Sequence, residues 1–190
     1  MKRIILLLLV VSFSTAAVAQ YRSETKFGLR LGANYSTLET DLFEDPESRI
    51  GSSVTFFAEI PLGNTFALVP EIGFDALGVK EDAIEPQDGN MVDLKTNWMS
   101  AGLLGQINVT RFLYVNAGAK LAINVSENDD NDYYDGDAWA TGGLGVRLTD
   151  GLSIDARYGY GITNIYEGNL AAQGFEAENR FYQLTISYRM

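Results

Sequence analysis

AWATGGLGVRLTDGLSIDARYGYGIT, residues 138–163, carries the clearest structural signal in this chain. Apolar residues occupy every second position on both sides of the polar turn at 149–151. A period of two that continues across a short turn predicts an antiparallel β-hairpin. Each arm holds about a dozen residues, which is enough for a tilted strand to cross a lipid bilayer.

The same unit of strand and turn continues through the rest of the chain. Eight segments alternate apolar and polar residues: 26–35, 51–60, 65–79, 94–107, 112–125, 138–148, 152–163 and 179–190. Short turns at 61–64, 108–111 and 149–151 alternate with long polar connections at 36–50, 80–93, 126–137 and 164–178. This pattern predicts an all-β, eight-stranded antiparallel up-and-down transmembrane β-barrel, with long loops extracellular and both mature termini periplasmic. Pro70 lies inside the third segment and should cost that strand a ladder hydrogen bond.

Two residue types are missing from the chain, and their absence limits its chemistry. There are no cysteines and no histidines. The chain therefore has no disulfides and no thiolate metal ligands, and it lacks the commonest general base and the Ser–His nucleophile pair. We expect a protein that is not an enzyme and that needs no cofactor.

The first residues have the features of a secretory signal peptide. The basic residues Lys2 and Arg3 precede an apolar run that ends in a small-x-small site at 17–19. The alternative interpretation is a membrane-spanning helix, but the apolar run is short for one. The expected organisation is a signal peptide at 1–19, cut between Ala19 and Gln20, and one barrel domain at 20–190.

The chain is strongly acidic. Its formal charge of −11 becomes −13 once Lys2 and Arg3 are removed with the signal peptide. Nucleic acids need a basic surface for their phosphates, so we expect no nucleic-acid partner.

The composition of the two strand faces predicts which face meets lipid. The polar faces carry small residues and scattered charges of both signs, which suit the narrow interior of an eight-stranded barrel. A secreted lipocalin-like binder would instead turn its apolar faces inward. Aromatic residues near the ends of the apolar faces would form interfacial girdles: Phe27, Tyr35, Phe66, Phe74, Tyr158, Tyr160, Tyr182 and Tyr188.

The charged residues of the polar faces form a candidate luminal network. Eight-stranded barrels are usually too narrow for an aqueous channel, so these charges are expected to close the lumen as a salt-bridged plug. The candidates are Arg30, Glu59, Glu71, Asp75, Lys120, Arg147, Asp155 and Arg157, with Arg189 on the same face.

The densest acidic cluster lies in the connection at 126–137. Asp129, Asp130 and Asp132 are weak candidates for divalent-cation ligands, because oxygen-rich loops can hold Ca²⁺. The EF-hand pattern fails, since Tyr133 stands where that pattern requires glycine. A solvated extracellular loop is therefore the favoured interpretation, and no metal site is predicted.

The chain resembles the small outer-membrane β-barrel proteins of Bacteroidota, the PorT-like or outer membrane protein β-barrel domain group. The resemblance covers the mature chain, from FGLRLGANYS at 27–36 through GGLGVRL at 142–148 to FYQLTISYRM at 181–190. It implies a location in the outer membrane of a Gram-negative cell, with outer-membrane lipid and the barrel-insertion machinery as partners.

Four functions are compatible with these observations. The leading hypothesis is a non-enzymatic barrel with a structural or surface-interaction role, exerted through acidic extracellular loops on an extracellular protein partner. A porin-like narrow channel or small-solute transporter is the second. A PorT-like accessory of a secretion system, with a secretion protein as partner, is the third. The lipocalin-like binder is the fourth.

Overall fold

The computed structural model of this protein describes residues 24–40, 46–84, 92–126, 136–165, 172, 174 and 176–190. These residues form one closed barrel in which each strand pairs antiparallel with the next and the last strand pairs with the first. The predicted eight-stranded antiparallel barrel is thus confirmed. Its strands are β1 (Lys26–Thr40), β2 (Arg49–Pro61), β3 (Phe66–Ile84), β4 (Val92–Asn108), β5 (Leu113–Asn124), β6 (Gly136–Arg147), β7 (Leu152–Gly161) and β8 (Ala177–Arg189).

The strands reach further into the long connections than the alternation of the sequence indicated. β1 continues to Thr40 and β3 to Ile84, although residues 36–50 and 80–93 were predicted to be loops. Beyond the bilayer a strand needs backbone pairing but no apolar face, so its polar continuation gives no period-two signal. We name the end of the barrel with these long connections the loop end, and the opposite end the turn end.

Short turns at 62–65, 109–112 and 148–151 close the turn end. Two of these turns are stabilised by the same pattern of hydrogen bonds. The hydroxyl of Thr110 accepts hydrogen bonds from the backbone N–H groups of Phe112 and Leu113, and the hydroxyl of Thr149 does so for Gly151 and Leu152. A threonine at the start of a tight turn thus satisfies backbone donors that the ladder leaves open.

The apolar faces point outward and the polar faces point into the lumen. β8 shows this most simply: Tyr182, Leu184, Ile186 and Tyr188 are each more than half exposed, whereas the residues between them are buried. Such an exterior is the reverse of the arrangement that a lipocalin-like binder requires. Among the described residues, no helix is long and apolar enough to span a membrane.

Most of the predicted girdle aromatics lie on the outer surface. Phe27, Phe66 and Tyr188 are exposed near the turn end, and Tyr35 and Tyr182 are exposed nearer the loop end. Tyr160 is only half-buried and lies under Arg180, whose guanidinium carbon is 4.9 Å from the ring centroid.

Pro70 leaves the expected trace in the β2–β3 ladder. Pairing runs from Ser53 with Asp75 to Phe57 with Glu71, and then resumes only at Ile60 with Leu68 in the same register. Because proline has no N–H, the ladder is interrupted beside it without a change of register.

The loop-end part of β3 departs from simple alternation. Ala76, which the alternation of the third segment places on the outer face with Phe74, is 5% exposed, and Leu77 and Val79 are fully buried. The segment bends over the lumen, where the Ser36 hydroxyl donates to the carbonyl oxygen of Gly78 at 2.8 Å. Gly78 has a φ of +101°, which other residues rarely adopt, and the β3–β4 register shifts after it.

Large luminal side chains face glycines on the neighbouring strand. Tyr114 pairs with Gly145, and a Cβ added to Gly145 would lie 2.1 Å from the Tyr114 ring. Phe181 and Gly159 show the same arrangement, also at 2.1 Å. Because an eight-stranded barrel is filled by its own side chains, each bulky residue needs such a gap in the adjacent wall.

Candidate functional site

Glu71 is the centre of an ion-pair cluster in the middle of the lumen. Its carboxylate lies 2.7 Å from Arg30 Nη1, 2.8 Å from Lys120 Nζ and 3.1 Å from Arg157 Nη1. All four side chains are 2% exposed or less. β1, β5 and β7 supply the three cations, and none of these strands is adjacent to β3. The cluster therefore ties opposite walls of the barrel together.

Asp155 extends this cluster on the β7 side. Its carboxylate accepts hydrogen bonds from the Tyr114 hydroxyl at 2.6 Å and from the Ser187 hydroxyl at 2.8 Å. Arg30 Nε is 3.7 Å from it, so Arg30 lies between the two carboxylates. The Arg30 guanidinium also stacks on the Phe57 ring, with 3.8 Å between its central carbon and the ring centroid. We call these residues the central cluster.

A second ion-pair group closes the turn end. Glu59 accepts from Arg189 Nη1 at 2.7 Å and from Arg147 Nη2 at 3.3 Å. Arg147 also donates to the side chain of Asn108 at 2.7 Å, and Arg189 donates to the backbone oxygen of Asp150 at 3.0 Å. The two arginines therefore share the Glu59 carboxylate, and each also binds a residue at one of the last two turns.

The carboxylates nearer the loop end have amide and hydroxyl neighbours instead of cations. Asp75 is fully buried and accepts from Asn34 Nδ2 and Gln183 Nε2, both at 3.0 Å. Asp137 accepts from Trp139 Nε1 at 2.5 Å, from the Thr163 hydroxyl at 2.7 Å and from the side chain of Asn179 at 2.9 Å. Neither carboxylate forms an ion pair within the part of the chain that the structure describes.

An apolar cap fills the lumen at the loop end. The ring centroids of Trp98 and Trp139 are 6.1 Å apart, those of Trp139 and Phe181 are 5.2 Å apart, and both pairs meet edge to face. The cap consists of side chains that are each 3% exposed or less: Leu38, Leu77, Val79, Trp98, Trp139, Ile165, Ala177 and Phe181.

Charges of opposite sign are equal in number inside the lumen but unequally distributed along it. The described lumen holds the five cations Arg30, Lys120, Arg147, Arg157 and Arg189, and the five carboxylates Glu59, Glu71, Asp75, Asp137 and Asp155. Cations outnumber carboxylates by one in the turn-end group and by one in the central cluster. The two carboxylates nearer the loop end offset that excess.

The structure places all eight predicted luminal charges inside the barrel, and ion pairs join all of them except Asp75. The candidate loop ligands Asp129, Asp130 and Asp132, and the cleavage site at Ala19 and Gln20, lie outside the described residues. No group of three or more carboxylates that could hold a metal ion occurs in the described ranges.

Sequence reasoning missed the neutral partners of these charges and the cap. Tyr114, Asn34 and Gln183 hold carboxylates, and Trp98 and Trp139 close the mouth. The sequence contains one signal for them, because these residues occupy the alternate positions that belong to the polar faces. An aromatic residue at such a position indicates a side chain that packs within the lumen.

At the loop-end rim an exposed ion pair contrasts with the buried ones. Lys80 Nζ lies 2.5 Å from the carboxylate of Glu47, and both side chains are largely exposed. The hydrogen bond from Lys80, together with its charge, lowers the pKa of Glu47 below its ordinary value. Such a pair is screened by solvent and contributes little to stability.

Comparisons with known proteins agree with this architecture. The model of a family described as outer membrane protein beta-barrel domain matches residues 18–167. None of the curated proteins matches the chain.

Solved structures of two outer-membrane barrels superpose on most of the chain. Ail, the attachment invasion locus protein of Yersinia pestis, is 13% identical, with a TM-score of 0.52 over 88% of this chain and 100% of that chain. Neisserial surface protein A is 14% identical, with a TM-score of 0.56 over the same shares. At such identities the likeness concerns the fold alone. The family match extends over most of the chain, and this protein therefore belongs to the outer membrane protein beta-barrel domain family and is an outer-membrane protein.

Proposed function

We propose that this protein is a non-enzymatic outer-membrane barrel with a closed lumen, and that it acts at the cell surface through its long acidic loops. The observation that carries the proposal is the closure of the lumen at successive levels, by the turn-end ion pairs, the central cluster and the apolar cap. A membrane barrel without a continuous path through its lumen can contact soluble partners only at its two ends.

The two ends differ strongly in charge. The connections at 41–45, 85–91 and 127–135 contain ten acidic residues and no basic residue. The three short turns together contain one of each sign, Asp150 and Arg111. The loop end is therefore the end with a distinctive chemistry, which suits a partner with a basic surface. The names of the two structural neighbours, an attachment protein and a surface protein, support a role of this kind.

The orientation of the barrel is part of the proposal and can be tested directly. Since the chain has no cysteine, Asp130→Cys and Asn64→Cys each introduce one unique label site, at the two ends of the barrel. In intact cells a membrane-impermeant maleimide should label the first variant and not the second. Labelling of the Asn64→Cys variant alone would overturn the orientation.

The closed lumen is tested by electrical recording. The purified protein in a planar bilayer should show conductance at the background level, since side chains fill the interior of a barrel of this size. Stable unitary currents would overturn the proposal and favour the narrow-channel alternative.

A photo-crosslinker attached at the same two positions separates a surface role from a PorT-like accessory role. Adducts with extracellular proteins from the Asp130→Cys variant support the surface role. Adducts with secretion-system components support the accessory role and contradict ours. In either case we expect export after removal of residues 1–19, assembly by the barrel-insertion machinery and contact with outer-membrane lipid.

A further inference from the structure

The central cluster holds one more positive charge than negative charge. Arg30, Lys120 and Arg157 share the layer with the two carboxylates Glu71 and Asp155. All five residues are 4% exposed or less. The carboxylates that balance this excess lie nearer the loop end, and Asp75 there is held by Asn34 and Gln183 without an ion pair to this layer among the described residues. A buried charge without a counter-charge close to it is costly, so an anion within the layer would be stabilising.

Arg157 has two buried nitrogens without a hydrogen-bond partner, whereas Arg30 has one, its Nε, among the described residues. Arg157 donates to Glu71 through Nη1 only, at 3.1 Å to each carboxylate oxygen. Its Nε and Nη2 atoms are buried and have no hydrogen-bond partner among the described residues. A guanidinium normally uses its planar set of donors as a fork, so two of the three nitrogens point to another acceptor.

Asn116 belongs to the same cross-strand row as Arg157, with one residue between them. Arg157 pairs with Gly143, and Gly143 pairs with Asn116. The Arg157 side chain leans over the glycine, since a Cβ added to Gly143 would lie 2.7 Å from Arg157 Cγ. Asn116 is 4% exposed, and neither polar atom of its amide has a partner in the described part of the chain.

We propose that the lumen binds a small monovalent anion of the halide class beside Arg157, within reach of the Asn116 amide. A halide supplies a negative charge within the central layer and accepts hydrogen bonds from guanidinium and amide N–H groups. A water molecule supplies no charge, and a monatomic anion needs less space than a polyatomic one in an interior as narrow as that of an eight-stranded barrel. Because the apolar cap closes the loop end, the anion enters as the barrel folds. This inference is independent of the surface role.

The first test compares refolding in sodium bromide and in sodium gluconate at equal ionic strength. The temperature at which the folded band disappears from a detergent gel should be about 5 °C higher in bromide, if bromide is in large excess over its Kd. Equal temperatures in the two salts would overturn the proposal.

Asn116→Asp supplies the negative charge from the protein itself. This variant should refold in gluconate as well as in bromide, with no difference between the two salts. Asn179→Asp is the matched control, because it adds a carboxylate beside Asp137, which has no cation partner among the described residues. The control should keep the bromide effect. A bromide effect that persists in Asn116→Asp would contradict the site.

Crystals of the unmodified protein refolded in bromide give a test that needs no variant. The anomalous signal should show one peak inside the lumen, beside the Arg157 guanidinium. A luminal density without anomalous signal would identify water only and overturn the proposal.

Discussion

The two halves of the lumen are closed by different chemistry. In the half nearer the turn end, Glu59 and Glu71 each hold more than one cation from other strands. In the half nearer the loop end, Asp75 and Asp137 are held by amides and hydroxyls below an apolar cap. One half thus depends on charge and the other on packing.

Burial of a carboxylate therefore does not by itself predict how much stability is lost when its charge is removed. Asp75 and Glu71 are equally hidden from solvent and lie on the same strand. They differ in what remains when the charge is removed. Three cations would lose an ion pair when Glu71 is neutralised and none when Asp75 is neutralised, among the described residues.

The largest expected effect comes from Glu71→Gln, which keeps the shape and removes the charge. Three buried cations then share the single carboxylate of Asp155, which lies 3.7 Å from Arg30, and breaking a buried ion pair in this way typically costs about 3–5 kcal/mol. Urea unfolding in detergent micelles measures the free-energy loss. Glu47→Gln, which removes an exposed carboxylate that pairs with Lys80, is the control and should leave the midpoint nearly unchanged. A loss as small as that of the control would contradict the central role of Glu71.

Leu77→Ala tests the packed half. Leu77 is fully buried in the apolar cap, and truncation of a buried leucine costs about 2–4 kcal/mol. Leu121→Ala removes the same atoms from a side chain that is 72% exposed on the lipid-facing surface, so its effect should be much smaller. Unfolding of both variants under identical conditions gives the comparison. If the two losses were equal, the cap would not be a packed core.

Gly145→Ala tests the fit between the wall and the luminal side chains. The added methyl group would displace the Tyr114 ring and its hydrogen bond to Asp155, at a cost of about 1–3 kcal/mol. Gly105→Ala is the matched control, since the nearest atom to its Cβ is 3.9 Å away. The control should unfold like the unmodified protein. A neutral Gly145→Ala would show that the lumen has spare room.

The smallest effect is expected for Asp75→Asn. The amide oxygen can still accept from Asn34 and Gln183, and no described cation loses a partner, so the loss should stay within about 1 kcal/mol. The same unfolding experiment measures it. A loss as large as that of Glu71→Gln would remove the distinction between the two halves.

The alternation of the sequence was sufficient for the barrel, its strand order and the identity of the inner faces. It could not show that Glu71 meets Arg30, Lys120 and Arg157, because these partners come from strands that are not its neighbours. Contacts across the lumen depend on the tilt and stagger of the closed sheet, which a period of two does not encode.

The alternation of the sequence also could not predict where the strands end or how the apolar cap is built. The loop-end part of β3 bends inward, so Ala76 and Leu77 are both buried although they are consecutive. The close fit of Tyr114 to Gly145 leaves a trace in the sequence, but only after the register of the two strands is known.

The charged residues of the central cluster come from four non-adjacent strands, and this has a consequence for the order of folding. Arg30 belongs to β1 and Arg157 to β7, so their shared contact with Glu71 spans most of the chain. These ion pairs cannot form in a partly assembled sheet. The stabilisation that they contribute is therefore gained only when β1 pairs with β8. Closure is therefore a late, cooperative event with a high entropic barrier. Once the ring is closed, opening any one wall separates the same charges, which makes the finished barrel slow to unfold.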